Sequence, residues 1–199
     1  MRKPPRLTCE LLLHAYSIGF FPMADEGTGE IRWYSPEPRA VIPIETYRPW
    51  RSLRQVLRKD LFEVRIDAGF ETVMRECAAP RRGDGGAWIS EEMIGAYTAL
   101  HHRGFAHSVE AYREGRLVGG LYGVAIGGAF FGESMFHRVP DASKVAMHTL
   151  LERLRLRRYL LLDTQFLNEH VARFGAIEVP RAEYLQRLEC AMAQPVGFR

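Results

Sequence analysis

The stretch 117–138, LVGGLYGVAIGGAFFGESMFHR, constrains the fold of this chain more than any other. Val118, Leu121, Val124 and Ile126 lead into Gly127-Gly128, and Ala129-Phe130-Phe131 resume the apolar run, the pattern of a β-hairpin with a two-residue glycine turn. Glycine weakens a strand through lost side-chain packing and extra chain entropy, so a strand that keeps several of them predicts close approach of another group to its backbone. Glu133 follows directly. Charged residues are seldom buried without a partner or a task, so this carboxylate either points into water from a strand end or works inside the protein.

The 199 residues bound the answer to one large domain, or one domain with a small appendage. With 47% hydrophobic and 11% aromatic residues the composition is globular, and no apolar run approaches the roughly 20 residues that span a bilayer. No membrane partner is therefore expected. His14 cuts short Leu11-Leu12-Leu13, which reads against a secretory signal and for a cytoplasmic protein. Cys9, Cys77 and Cys190 are widely separated and odd in number, as expected of reduced thiols rather than a disulfide framework or a CxxC metal site. A net charge of +3 is too mild to decide nucleic-acid binding, so the distribution of basic residues has to.

That distribution is uneven. In residues 47–59, YRPWRSLRQVLRK, helical spacing puts Arg51, Arg54 and Arg58 along one face while Leu53, Val56 and Leu57 share the other. No acid intervenes before Asp60, so the ladder, extended by Lys59, suits a phosphate backbone through bidentate contacts and counterion release. A merely solvated basic face is the competing reading.

Upstream, Leu11, Leu12, Ala15, Tyr16 and Ile18 have helical spacing, with Thr8 as N-cap and Gly19 as terminator. The segment from Phe20 to Arg39 reads as an irregular, aromatic and proline-rich loop, too rich in proline for a central strand, before a short strand at 40–44. Downstream come a period-two strand at 62–67, a helix at 70–77 and a loop at 81–86. A helix N-capped by Ser90, with Met93, Ala96, Tyr97 and Leu100 on its apolar face, follows. Strands at 108–112 and 117–121 then lead to the glycine hairpin. A helix at 143–156, a buried strand at 159–163 and a helix from Thr164 to Phe174, closed by Gly175, complete the pattern. The mixture predicts an α+β (α/β) chain with a small N-terminal domain over 1–45 and a sheet domain over 46–199.

Several constellations carry little. His101, His102, His107 and Glu110 lack the i, i+4 spacing of a zincin, so no metal site is expected. GESMF around Ser134 lacks the second glycine of a nucleophile elbow. The glycine fragments match neither a P-loop nor a GxGxxG turn, which reads against ATP and NAD, and no cofactor is expected.

Taken together, AYSIGFFP at 15–22, WYSPEPR at 33–39, Ala87-Trp88-Ile89, HSVE at 107–110, VGGLYG at 118–123, GESMF at 132–136 and DTQFLNEH at 163–170 resemble, in this order, the leucyl/phenylalanyl-tRNA–protein transferases. The resemblance runs from about Leu11 to Leu185. It implies a domain with the fold of the GNAT acetyltransferases but without acetyl-CoA. It also implies transfer of Leu, Phe or Met from aminoacyl-tRNA to the N-terminal Arg or Lys of acceptor proteins, which marks them for degradation. Asp163 and Gln165 match the family's catalytic pair, and Glu133 its acid at the reaction centre. Tyr16, Trp88, Tyr97, Leu121, Phe130, Ser134 and Asn168 match substrate-binding positions, and Arg51, Arg54, Arg58 and Lys59 match the tRNA-binding helix. Met23 replaces the family's aromatic after Phe-Pro, Leu121 stands where methionine is usual, and Gln55 occupies an often basic position. A monomer is expected.

The residues fit such chemistry. An aminoacyl ester is already activated, so its transfer needs an amine, a proton acceptor and a group to steady the oxyanion. The carboxamide oxygen of Gln165 can orient the amine while Asp163 fixes the amide or takes charge through it. Alternatively, the ribose 2′-hydroxyl relays the proton and both residues position, or Asp163 only caps the following helix. Two other function classes stay open: an acyl-CoA-dependent GNAT-type acyltransferase, disfavoured by the missing pyrophosphate loop, and a non-catalytic tRNA-binding module.

Overall fold

The computed structural model describes residues 7–25, 27–80 and 88–199. The chain opens with α1 (Cys9–Ser17), whose first turn is capped by the Thr8 hydroxyl accepting the Leu11 N–H, and which ends before Gly19 at φ +82°. The aromatic segment expected to be irregular pairs instead into a two-stranded antiparallel ribbon, β1 (Phe21–Ala24) and β2 (Ile31–Tyr34), standing apart from the main sheet. Pro22 is tolerated because a two-stranded ribbon is all edge.

Next come β3 (Arg39–Ile42), α2 (Arg51–Arg58), β4 (Glu63–Ile66), α3 (Phe70–Ala78) and α4 (Glu91–His102). The Ser90 hydroxyl caps α4 by accepting the Met93 N–H, and the four residues expected on its apolar face are all buried. The loop expected at 81–86 lies outside the described residues. Then follow β5 (Ala106–Arg113), β6 (Arg116–Ile126), β7 (Ala129–His137), α5 (Ala142–Leu156), β8 (Leu161–Gln165), α6 (Glu169–Ala172), β9 (Ile177–Val179) and α7 (Arg181–Met192).

The glycine hairpin is the spine of the sheet. Ile126 faces Ala129 across Gly127-Gly128, and Gly127 takes φ +54°, as a turn this tight demands. Gly123 shows why glycine is kept inside the strand: a Cβ there would lie 2.3 Å from the Phe131 carbonyl oxygen and 2.4 Å from the Phe130 ring. Among the described residues seven strands line up as β4-β5-β6-β7-β8-β3-β9, antiparallel except for β7 and β8. One apolar cluster joins α1, α3, α4 and α7 to the sheet, and a second joins α2 and α5, giving a sheet covered on both faces. No helix among the described residues is long and apolar enough to cross a membrane.

The helix expected from Thr164 is displaced. Thr164 and Gln165 continue β8, and the short α6 begins only after Asn168, whose side chain caps it by accepting the N–H groups of His170 and Val171 at 3.0 Å. Asp163 therefore caps no helix. Strand β3 is an interior strand, one place in from the edge of the sheet. It lies between β8 and β9, which carries the Arg39 end of the aromatic segment into the middle of the protein.

Candidate active site

Strands β7 and β8 pair in parallel over only three residues each, Ala129–Phe131 with Leu161–Asp163. Beyond that point a cleft of about 800 Å³ opens, lined along one strand by every residue from Gly132 to Arg138. A cleft along one face would touch alternate residues of a strand; touching consecutive ones means that it runs along the strand's edge and reaches both faces. Leu121, Met135, Met147, Leu150 and Val171 form an apolar lobe toward α5, and Met23, Trp88, Tyr122 and Phe136 an aromatic lobe toward α3. Glu133 and Gln165 line the same cleft.

Glu133 does not point into water; it is 7% exposed, inside β7 rather than at its end. Its Oε1 accepts the Gln165 Nε2–H at 2.8 Å, and its Oε2 accepts the Tyr97 hydroxyl at 3.3 Å. The Tyr97 hydroxyl in turn bonds that of Tyr16. Burial pushes the Glu133 carboxyl up to about 8; the Tyr16 and Tyr97 hydroxyls and Arg39 pull it down, while the charge of Asp163 adds to the rise. Burial, followed by the same Glu133 charge, drives both tyrosines well above their ordinary range, so they remain donors.

Behind this pair lies a second, sealed layer. Asp163 is fully buried and absent from the cleft lining; Arg39, 1% exposed, grips it through Nε at 3.0 Å to Oδ1 and Nη2 at 2.7 Å to Oδ2. The Tyr184 hydroxyl donates to the same Oδ2 at 2.7 Å, and the Gln165 N–H donates to Oδ1 at 2.8 Å. Arg39 is also held by the Gly19 carbonyl at 3.1 Å and lies over the rings of Phe21 and Tyr184, 4.8 and 4.6 Å from their centroids. Neither Arg39 nor Tyr184 stands out as a site residue in the sequence. The signal that could have found the first is an arginine directly preceding an all-apolar strand; for Tyr184 there was none.

Of the residues singled out in the sequence, Trp88, Leu121, Glu133, Ser134, Gln165 and Asn168 line the cleft. Tyr16 and Tyr97 support Glu133 from behind. Phe130 lies outside the lining, packed against Gly123 and stacked on Phe198 at 5.2 Å. Arg51, Arg54 and Arg58 are exposed on α2 and Lys59 at its C-cap; α2 packs on α5, while Trp50 meets Phe174, just beyond α6, at 5.2 Å. The basic helix thus borders the helices that wall the apolar lobe. Among the described residues no cluster of His, Cys, Asp and Glu has the arrangement of a metal site.

The family model described as leucyl/phenylalanyl-tRNA protein transferase matches residues 41–189, and that of the family's N-terminal domain matches residues 6–37. Relatives named leucyl/phenylalanyl-tRNA–protein transferase include one from Gloeobacter violaceus, 54% identical over 97% of this chain and 98% of its own length. Others are from Rubrobacter xylanophilus, 55% identical over 97% and 99%, and from Chlorobium luteolum, 50% identical over 95% and 97%. Among solved structures, L-PGS from Bacillus licheniformis is similar at a TM-score of 0.44 and 12% identity, over 80% of this chain and 53% of that one. A likeness that remote carries nothing about the site. Matches that span both segments of the chain, at about half identity from end to end, establish that it belongs to the leucyl/phenylalanyl-tRNA–protein transferase family.

Proposed function

We propose that the protein is an aminoacyltransferase that moves Leu, Phe or Met from aminoacyl-tRNA onto the N-terminal Arg or Lys of acceptor proteins, creating an N-degron. It does so as a cytoplasmic monomer on a GNAT-like sheet. The observation that carries this reading is a cleft lined by an apolar lobe, an aromatic lobe and the Glu133–Gln165 pair. The apolar lobe has the chemistry to take a large apolar side chain, and Trp88 that to stack on the terminal adenosine. Arg51, Arg54, Arg58 and Lys59 hold the acceptor stem through its phosphates.

In the reaction the acceptor's α-amino nitrogen attacks the ester carbonyl carbon. The C–N bond forms, the tetrahedral intermediate collapses with cleavage of the carbon–oxygen bond to the ribose, and the amine's proton ends on that ribose oxygen. The amine, with an ordinary pKa of about 7.7–8.0, is partly neutral at cytoplasmic pH. With an Nε2–H of Gln165 given to Glu133, its carboxamide oxygen is the acceptor left to orient the amine's N–H. A sealed Asp163 is placed to hold Gln165 rather than to touch substrate.

The test is to incubate the protein with Phe-, Leu- and Met-charged tRNA and a peptide beginning with Arg or Lys. Labelled amino acid appears on the peptide; failure with all three tRNAs overturns the reading. Rates of Gln165→Ala and Gln165→Glu separate the proton routes, and near-normal turnover of both removes Gln165 from the chemistry.

A further inference from the structure

Gln165 is the last residue of β8 and takes φ +65°, a left-handed conformation that costs a residue with a Cβ about 1–2 kcal/mol. The Phe166 N–H bonds the Thr164 carbonyl at 2.7 Å, closing a tight three-residue turn centred on Gln165. Such strain persists only where surrounding contacts over-determine it. Here they come from elements far apart in the chain: Arg39 on β3, Asp163 on β8, Tyr184 on α7, and Gly19 and Phe21 beyond α1. None of these groups except Gln165 itself reaches the cleft.

We propose that Arg39 and Tyr184 are positioning residues for the transfer reaction: they fix both oxygens of Asp163, and Asp163 in turn fixes the turn that aims the Gln165 carboxamide at Glu133 and the cleft. The inference rests on the proposed transferase reading for its kinetic consequence, but not for its geometry. Oδ1 of Asp163 takes both the Arg39 Nε–H and the Gln165 N–H, so a shift of the guanidinium moves the acceptor that holds the turn. Tyr184 restrains Oδ2, and its ring covers Arg39. Burial and the Asp163 charge hold its hydroxyl far above the ordinary tyrosine range, so it keeps the proton that it donates to Oδ2. Lysine in place of Arg39 offers no planar fork and cannot reproduce this grip.

The experiment compares wild type, Tyr184→Phe, Arg39→Lys, Gln165→Ala and the double variant Tyr184→Phe/Gln165→Ala in transfer of labelled phenylalanine from Phe-tRNA to a peptide beginning with Arg. Tyr184→Phe and Arg39→Lys are expected to lower kcat roughly tenfold, the kinetic equivalent of one hydrogen bond, with KM for both substrates unchanged. Tyr184→Phe in the Gln165→Ala background is expected to cost less than about twofold, because the group it positions is gone. An equal loss in both backgrounds, a loss in KM instead of kcat, or wild-type kcat in both single variants overturns the proposal. Should Arg39→Lys fail to fold, Tyr184→Phe alone carries the cycle. Amide hydrogen exchange of ligand-free protein gives a second readout: Gln165 N–H exchange is expected to accelerate roughly tenfold in Tyr184→Phe, and unchanged exchange refutes the positioning. A wild-type protein that transfers nothing would remove the proposed function, while the exchange data would still decide whether Tyr184 holds the turn.

Discussion

Glu133→Gln keeps the shape of the buried side chain and removes its ionisation. In the native protein the carboxyl rises from an ordinary value of 4.5 to about 8, chiefly through burial. At about 1.4 kcal/mol per tenfold change in proton affinity, ionisation of the folded form costs about 5 kcal/mol more than that of the unfolded chain. The folded state binds this proton more tightly, so the stability it supplies is complete below about pH 4.5 and is lost as pH rises through about 8. The glutamine variant has no such loss. Its unfolding free energy should exceed that of wild type by under about 1 kcal/mol at pH 5, relative to acid, by about 3 at pH 7 and by nearly 5 at pH 9. Urea denaturation at those three pH values reads this directly, because all other titrating groups are common to both proteins. A difference that stays flat or shrinks between pH 5 and pH 9 would refute the reasoning, since it would mean that Tyr16, Tyr97 and Gln165 already hold an ionised Glu133.

Arg39→Met leaves Asp163 buried without its counter-charge and should cost about 3–5 kcal/mol in urea denaturation, while adding Asp163→Leu should recover part of that loss. Gly123→Ala drives a Cβ onto the Phe131 carbonyl and the Phe130 ring, so it should lower stability by at least about 1–3 kcal/mol, read as an earlier thermal transition. Arg51, Arg54 and Arg58 changed together to Gln should weaken tRNA binding at low salt. The dependence of log affinity on log salt should flatten by about 0.9 for each phosphate no longer neutralised; an unchanged slope would place the RNA elsewhere.

The sequence by itself determined the local architecture. The turn at Gly127-Gly128, the Thr8 and Ser90 caps, the burial of one face of α4 and the exposure of the arginines on α2 all follow from period, cap chemistry and glycine tolerance within a few residues. It also pointed to Glu133 as an oddity and, through ordered motifs, to Gln165 and Asp163 as a pair. Tertiary structure alone decided what these groups can do. Residues 164–174 read as helix because a stretch of polar and apolar residues has no intrinsic marker for a strained turn, and only pairing with β3 extends β8 through Gln165. The ionisation of Glu133 depends on what surrounds it, and the tyrosines that do so come from α1 and α4. Arg39 and Tyr184 lie 124 and 21 residues from Asp163, a separation over which no spacing rule operates. A buried carboxylate's partner is chosen by the sheet order that brings the strands together, which is a property of the folded chain and not of any segment of it.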